Sequence, residues 1–452
     1  MLTANTHKVV MAWIVICLLV PPEIRIAGVT VLDFCVYSTI AVYFIEWVAS
    51  NSPLQRLSRV ESALFMLLCI SIASCTYNNF FSFKEQTDFV ASLGLSTDFL
   101  FARLTLYGIF TIIMLIGGYR IVASSIHTQQ DIESLVKVFI GAGMLNAIIT
   151  IAFWAVTTGG TFERYNYIPP LEGSQGIHLN YMSMVFLFSF AVMASGNISK
   201  GQRLFVFSAM ALTGFSMLTA MVRQGWVMCL FSLIIYFILI QRKQSSQINR
   251  RLVLGSVLFV IIGLTFLVIK NQEMLVDLFA DIFTIAGTDE DQGSWLMRFA
   301  LIQHGLELFL ANPLFGIGFG HYPAYSTVPI YITGVETFVS SPHNGIVTIA
   351  AETGIPGLCC LFMISFYLLR DCNYVYNYCS SRYTSMIVAG VFSLLIINVV
   401  SQFISNSLII PLPTERSMTQ SSFVLWILFG LVAGIGKMAT SSSSELETDL
   451  CH

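Results

Sequence analysis

Between residues 177 and 240 three apolar runs follow one another with hardly a pause, at 177–196, 203–220 and 224–240. Each is close to the ~20 residues that cross a bilayer. The last two are separated by little more than Met221-Val222-Arg223. A hairpin that tight leaves both runs side by side in a membrane. Similar runs recur along the chain, and the predicted spans are 3–20, 26–49, 60–77, 103–123, 135–157, 177–196, 203–220, 224–240, 252–269, 345–369, 384–410 and 418–437. The expected fold is therefore all-α: a polytopic membrane protein with about 12 transmembrane helices and one large, partly helical outer loop. Composition agrees, since 56% of residues are hydrophobic and only 10% charged, against roughly 25% charged in soluble domains. A net charge of −3 gives no reason to expect nucleic acid as a partner.

The run after Lys8 has the look of a signal peptide. It lacks a small-residue cleavage site and stops at Pro21-Pro22, so it reads as an uncleaved first span. The ten cysteines lie mostly inside apolar spans without metal-ligand spacing, as small buried hydrophobes do. Twelve spans put both termini on one side. With the N-terminus inside, 14 of the 22 basic residues fall in inner loops, the cluster Arg242, Lys243, Arg250, Arg251 among them. The positive-inside rule then makes both ends cytoplasmic. The expected organisation is 1–269 as helices one to nine, 270–341 as a large periplasmic loop, 342–437 as helices ten to twelve and 438–452 as a cytoplasmic tail, Ser-rich, acidic and unstructured. A loop of this length is usually functional. Within it Trp295, Phe299, Ile302, Leu306 and Phe309 fall at helical spacing, so 294–311 is expected to form an amphipathic helix. Its apolar stripe should pack on the bundle or lie in the membrane interface. Its acidic stretch "GTDEDQG" (287–293) is either a solvated loop or a site for a hard cation.

Few residues outside could carry chemistry. Arg223 stands in a hairpin too tight to lift it from headgroup depth, where a guanidinium suits a lipid phosphate or pyrophosphate. A snorkelling interfacial arginine serves the position equally. Arg298 lies near the start of the amphipathic helix, Arg164 in "TFERYNYIPP", and Arg25 just beyond the Pro-Pro break. His343 and Asn344 stand at the outer mouth of the tenth helix, where an imidazole can act as general base or be structural. Glu352 lies about 12 Å deeper on a straight helix, too far for a direct partnership with His343. A carboxylate there needs a donor or a cation. Gly354, Pro356 and Gly357 follow it, so the helix is expected to bend or open there.

Three stretches, "RQGWV" (223–227), "WLMRFALIQHGLELFLANPLFGIGFGHY" (295–322) and "HNGIVTIAAETGIPGL" (343–358), together resemble the O-antigen ligase/polymerase family of bacterial membrane glycosyltransferases. The resemblance implies transfer of a glycan from undecaprenyl pyrophosphate to an acceptor hydroxyl, inverting the anomeric carbon, with neither metal nor nucleotide cofactor. It implies His343 as the base, with Arg223 and Arg298 on the pyrophosphate. Arg164, Arg25, Asn344 and Glu352 would bind substrate or shape the cavity. The acceptor would be a lipid-linked repeat unit, as for a polymerase, or lipid A–core, as for a ligase; the motifs do not separate the two. Membrane lipids and a chain-length regulator are the further partners expected, and the bacterial inner membrane the expected location, with a periplasmic active site. A carrier or flippase for lipid-linked sugars is the alternative from another class. It predicts ionisable groups at mid-bilayer depth, whereas those noted here cluster at the outer mouth.

Overall fold

The computed structural model describes residues 6–21, 24–26, 29–49, 57–81, 97–161, 168–171, 175–196, 198–220, 223–244, 290–325, 342–403, 409–411 and 416–449, with isolated positions 258 and 265. These form α1 (Thr6–Leu19), a two-residue hairpin of β1 (Arg25–Ile26) and β2 (Val29–Thr30), α2 (Val31–Ala49), α3 (Arg59–Phe81), α4 (Thr97–Ser125), α5 (Gln129–Thr158), α6 (Gln175–Ser195), α7 (Lys200–Ala220), α8 (Arg223–Gln244), α9 (Glu290–Ala311), the short α10 (Tyr322–Tyr325), α11 (Gly345–Tyr378), α12 (Arg382–Ser401) and α13 (Arg416–Asp449). Among the described residues nine helices are long and apolar enough to cross a membrane. The protein is a polytopic helical membrane protein. Nine of the twelve predicted spans coincide with these helices, 3–20 and 26–49 coincide with the shorter apolar helices α1 and α2, and 252–269 lies outside the described residues but for positions 258 and 265.

Two boundaries differ from expectation. The span predicted over 384–410 ends as a helix at Ser401. The chain then turns, so that Ile409 offers its carbonyl to Trp426 Nε1 at 2.8 Å. The Ser-rich tail, expected to be unstructured, continues α13 as helix to Asp449.

α6 and α12 are the most enclosed spans, packed on each other and flanked by α5, α7 and α8. Phe190 of α6 sits edge-on between Tyr236 and Phe237 of α8. Elsewhere close approach rests on small residues, as membrane helices require. Gly430 and Gly434 of α13 lie four apart, against Val122 of α4 and Ile126 just beyond its end. A Cβ at either glycine would stand 2.8 Å and 2.7 Å from the Cβ atoms of those residues.

Polar contacts define the two ends of the bundle. At one end Arg120 pairs with Glu61 at 3.0 Å, Thr384 donates to Gln129 at 2.7 Å, and Arg382 donates to the Ala194 carbonyl at 3.3 Å. Lys243 there donates to carbonyls at the end of α11, those of Tyr376 and the C-cap Cys379. The capping box of α5, Thr128 with Asp131, lies there too. At the other end α8, α11 and α13 begin, and α9 and the loop after it pack. His343, Arg223, Arg25 and Arg298 all belong to this second end.

Candidate functional site

α11 is two helices joined at a break. Gly354 has φ 67° and ψ −164°, a region that only glycine occupies readily. Pro356 follows in the first turn of the second segment, where its missing N–H costs nothing. The break frees the carbonyls of Ala351 and Glu352 from helical pairing and orphans the N–H of Ile355. The loop after α9 satisfies all three. Ile317 N–H donates to Ala351 O at 2.9 Å, Gly318 N–H to Glu352 O at 3.0 Å, and Ile355 N–H to Pro313 O at 2.8 Å. The two backbones approach so closely that a Cβ on Gly316 would lie 2.3 Å from the Glu352 carbonyl carbon, and one on Gly354 2.6 Å from Pro313 O. The bend expected at Gly354 is therefore the socket for the loop.

Polar side chains on neighbouring spans complete this junction. Ser74 of α3 donates to Phe315 O and Glu352 O, and Asn78 donates to Gly316 O at 2.9 Å. His321 is fully buried, with Nδ1 on the Ile317 carbonyl at 3.2 Å and Nε2 on Thr105 Oγ1 at 2.9 Å. A carbonyl can only accept, so in the neutral ring Nδ1 carries the proton and the threonine hydroxyl donates to Nε2. Sequence reasoning singled out none of Ser74, Asn78 or Thr105. The available signal was polar residues inside an otherwise apolar span.

Glu352 is 0% exposed. Its Oε1 accepts the N–H of Tyr322 at 3.1 Å, and the N–H of Gly320 also faces the carboxylate. Glu352, expected to bind substrate or shape the cavity, is enclosed, and its Oε1 is held by the loop's main chain. Tyr322 is held at its other end as well, its hydroxyl donating to Leu301 O of α9 at 3.0 Å. Burial, and then the nearby Glu352 carboxylate, push the Tyr322 phenol well above its usual range, so it serves as a neutral donor. His304 of α9 bonds the Tyr325 carbonyl at 2.8 Å. α9, α10 and the first half of α11 are thus tied into one unit.

Asn344 is the other residue of this junction expected to bind substrate or shape the cavity. It is the N-cap of α11, its Oδ1 accepting Val347 N–H at 3.0 Å while Nδ2 donates to Phe403 O at 2.8 Å. Both faces of the amide are occupied, one by each helix of the α11–α12 pair. Gly345 N–H donates to Gln402 O at 3.0 Å beside it. His343 precedes this cap and is half-buried. Its φ is 51°, the single positive value for a non-glycine residue among those described. Left-handed backbone costs an L-residue ~1–2 kcal/mol, though histidine tolerates it better than most.

Arg223 is the first residue of α8, Arg25 the first of β1, and Arg298 lies in the first half of α9. Their backbones fall at the His343 end of the bundle, while their side chains lie outside the described residues. Arg164 and residues 287–289 of the acidic stretch also lie outside them, while 290–293 form the start of α9. The apolar stripe expected on α9 does not face the bundle. Leu301 and Gly305 are buried, Gly305 directly over Val347, whereas Phe299 and Leu306 are exposed.

Fold and site together define a multi-span membrane protein in which the loop after α9 is built into a broken helix. Residues 208–362 match the family model described as O-antigen ligase. The match spans α8, α9, the junction and the first half of α11, and supports the O-antigen ligase/polymerase family and an activity of that broad type. No curated protein matches the chain.

Proposed function

We propose that the protein transfers a glycan from undecaprenyl pyrophosphate to an acceptor hydroxyl on the periplasmic face of the bacterial inner membrane, acting as a polysaccharide repeat-unit polymerase. The observation that carries this reading is the backbone of His343. A histidine held at positive φ, directly before a cap whose amide is fixed on both sides, is a side chain aimed by its surroundings. Backbone strain of this kind concentrates at functional positions.

In this reading the His343 imidazole takes the proton of the acceptor hydroxyl. The oxygen attacks the anomeric carbon from the face opposite the pyrophosphate, so the glycosidic bond forms as the carbon–oxygen bond to undecaprenyl pyrophosphate breaks. The configuration inverts, and no metal takes part. Arg223 and Arg298, with Arg164 as a third cation, take up the negative charge on the leaving pyrophosphate, a task suited to planar, bidentate guanidinium groups. Arg25 binds the donor at the membrane edge. Asn344 and Glu352 act by holding the scaffold. Both termini are cytoplasmic, membrane lipids surround the spans, and a chain-length regulator is the expected protein partner.

The test is the glycolipid ladder of the source bacterium with the gene deleted. Lipid A–core bearing a single repeat unit supports the polymerase. Bare lipid A–core, with long chains retained on undecaprenyl pyrophosphate, assigns ligase instead. Failure of the purified protein to transfer glycan from a lipid-linked donor to either acceptor overturns the transferase reading.

A further inference from the structure

The loop after α9 and the helix itself lie at a depth that can be measured against three spans. α11 runs 34 residues, about 51 Å at ~1.5 Å per residue, well beyond a ~30 Å hydrocarbon core. Its Arg370–Asp371 pair, half-exposed, marks one boundary. Counting ~20 residues back puts the other near Ala350. Ile355, bonded to Pro313, then lies roughly 7 Å inside the core. On α3 the Glu61–Arg120 pair marks the same boundary as Arg370. Ser74, bonded to Phe315, stands about 20 Å from it and so about 10 Å below the far surface. On α4 Thr105, bonded to His321, stands about 22 Å from Arg120, or about 8 Å below that surface. The three rulers agree.

The outer face of the same segment is apolar. Phe299 is 72% exposed and Leu310 73%, with Leu306, Leu314 and Phe315 exposed beside them. Phe315 stacks on Tyr77 of α3 with ring centroids 4.8 Å apart. Tyr77 is itself exposed, as are Ile355, Phe362 and Phe366 down α11. The patch is therefore continuous with the lipid-facing surface of two spans. The junction supplies an independent sign. Non-helical backbone survives at membrane depth only when its polar groups are satisfied by protein. Here Ile317, Gly318, Phe315 and Gly316 all pair with α3 or α11.

We propose that residues 299–322 form a re-entrant element whose outward face contacts the acyl chains of the leaflet on the His343 side. Gln303, about two turns or ~10 Å up α9 from Leu310, and Glu307, hydrogen-bonded to it at 3.0 Å on an exposed face, make the polar end of the element turned to the headgroups. The inference does not depend on the transferase reading.

The test places an environment-sensitive fluorescent amino acid at Leu310, and separately at Gln303 and Phe362, in the full chain reconstituted in nanodiscs. Half of the preparations contain lipids brominated on the acyl chain, and iodide serves as the aqueous quencher. The expected result is bromolipid quenching at 310 several-fold above that at 303 and comparable with that at 362, with iodide quenching reversed. Equal quenching at 310 and 303 overturns the proposal. So does a 310 probe shielded from both quenchers, which would mean that a second copy covers this face. If the Leu310 variant does not fold, Leu314 carries the same probe with the same expectations.

Discussion

The carboxylate of Glu352 accepts the main-chain N–H of Tyr322 at 3.1 Å, joining the broken helix α11 to the loop that returns from α9. Removing the carboxylate leaves buried donors without an acceptor, each worth about 1–3 kcal/mol. Glu352→Ala is expected to lower the midpoint of thermal unfolding in detergent and to reduce folded yield. Glu352→Gln keeps the shape and the accepting oxygen and should lose less. A Gln variant as unstable as the Ala variant would mean that the charge, not the hydrogen bond, holds the loop.

His343→Ala is expected to leave the unfolding midpoint unchanged or slightly lowered, since alanine still carries a Cβ at φ 51°. Transfer from a lipid-linked donor should fall by about 10²–10⁴-fold, the range for loss of a general base. His343→Gly relieves the positive φ altogether and should be stable and equally inactive. His343→Val puts a β-branched side chain at that φ and should be unstable. Full transfer by the Ala variant would remove His343 from the chemistry.

Gly354→Ala meets two obstacles at once. Its φ of 67° with extended ψ costs an L-residue about 1–3 kcal/mol, and the new methyl would stand 2.6 Å from Pro313 O. The loop must then leave its socket. Limited proteolysis should cut between α9 and α11 in this variant and spare the parent protein. Equal resistance in both would show that the loop is held by other contacts.

Arg223→Ala is expected to lower kcat about 10²–10³-fold, the scale for losing one donor to developing charge. Arg223→Lys should recover only part, because an ammonium cannot make two parallel bonds to a phosphate. The comparison is made in single-turnover transfer with saturating donor. A lysine variant as fast as the parent would reduce the role of Arg223 to that of a point charge.

The spans were legible because hydropathy over ~20 residues is a strong signal, and the bend at Gly354 because Gly-x-Pro-Gly leaves a helix little choice. The hidden part was whatever main chain decides. Glu352 reads as a misplaced charge until the N–H groups of Gly320 and Tyr322 are known to face it. Asn344 reads as a polar group at the helix mouth, open to substrate, until Val347 N–H and Phe403 O are found on its amide. The apolar stripe of α9 was expected on the bundle or in the membrane interface, and which of the two it takes was hidden for a related reason. Its contact with α11 runs through Gly305, which carries no hydrophobic signal, while the conspicuous apolar residues turn outward.

The main-chain character of the junction has a consequence for mutational tolerance. Bonds between backbone groups do not read side-chain identity, so a saturation scan should find Leu314 and Phe315 exchangeable for other apolar residues. Gly316 and Gly354 should accept almost nothing, since a Cβ on either would run into the backbone of the facing segment. A profile of two intolerant glycines flanking permissive apolar positions is the signature of a joint made of backbone, in which shape is inherited and chemistry is free to drift.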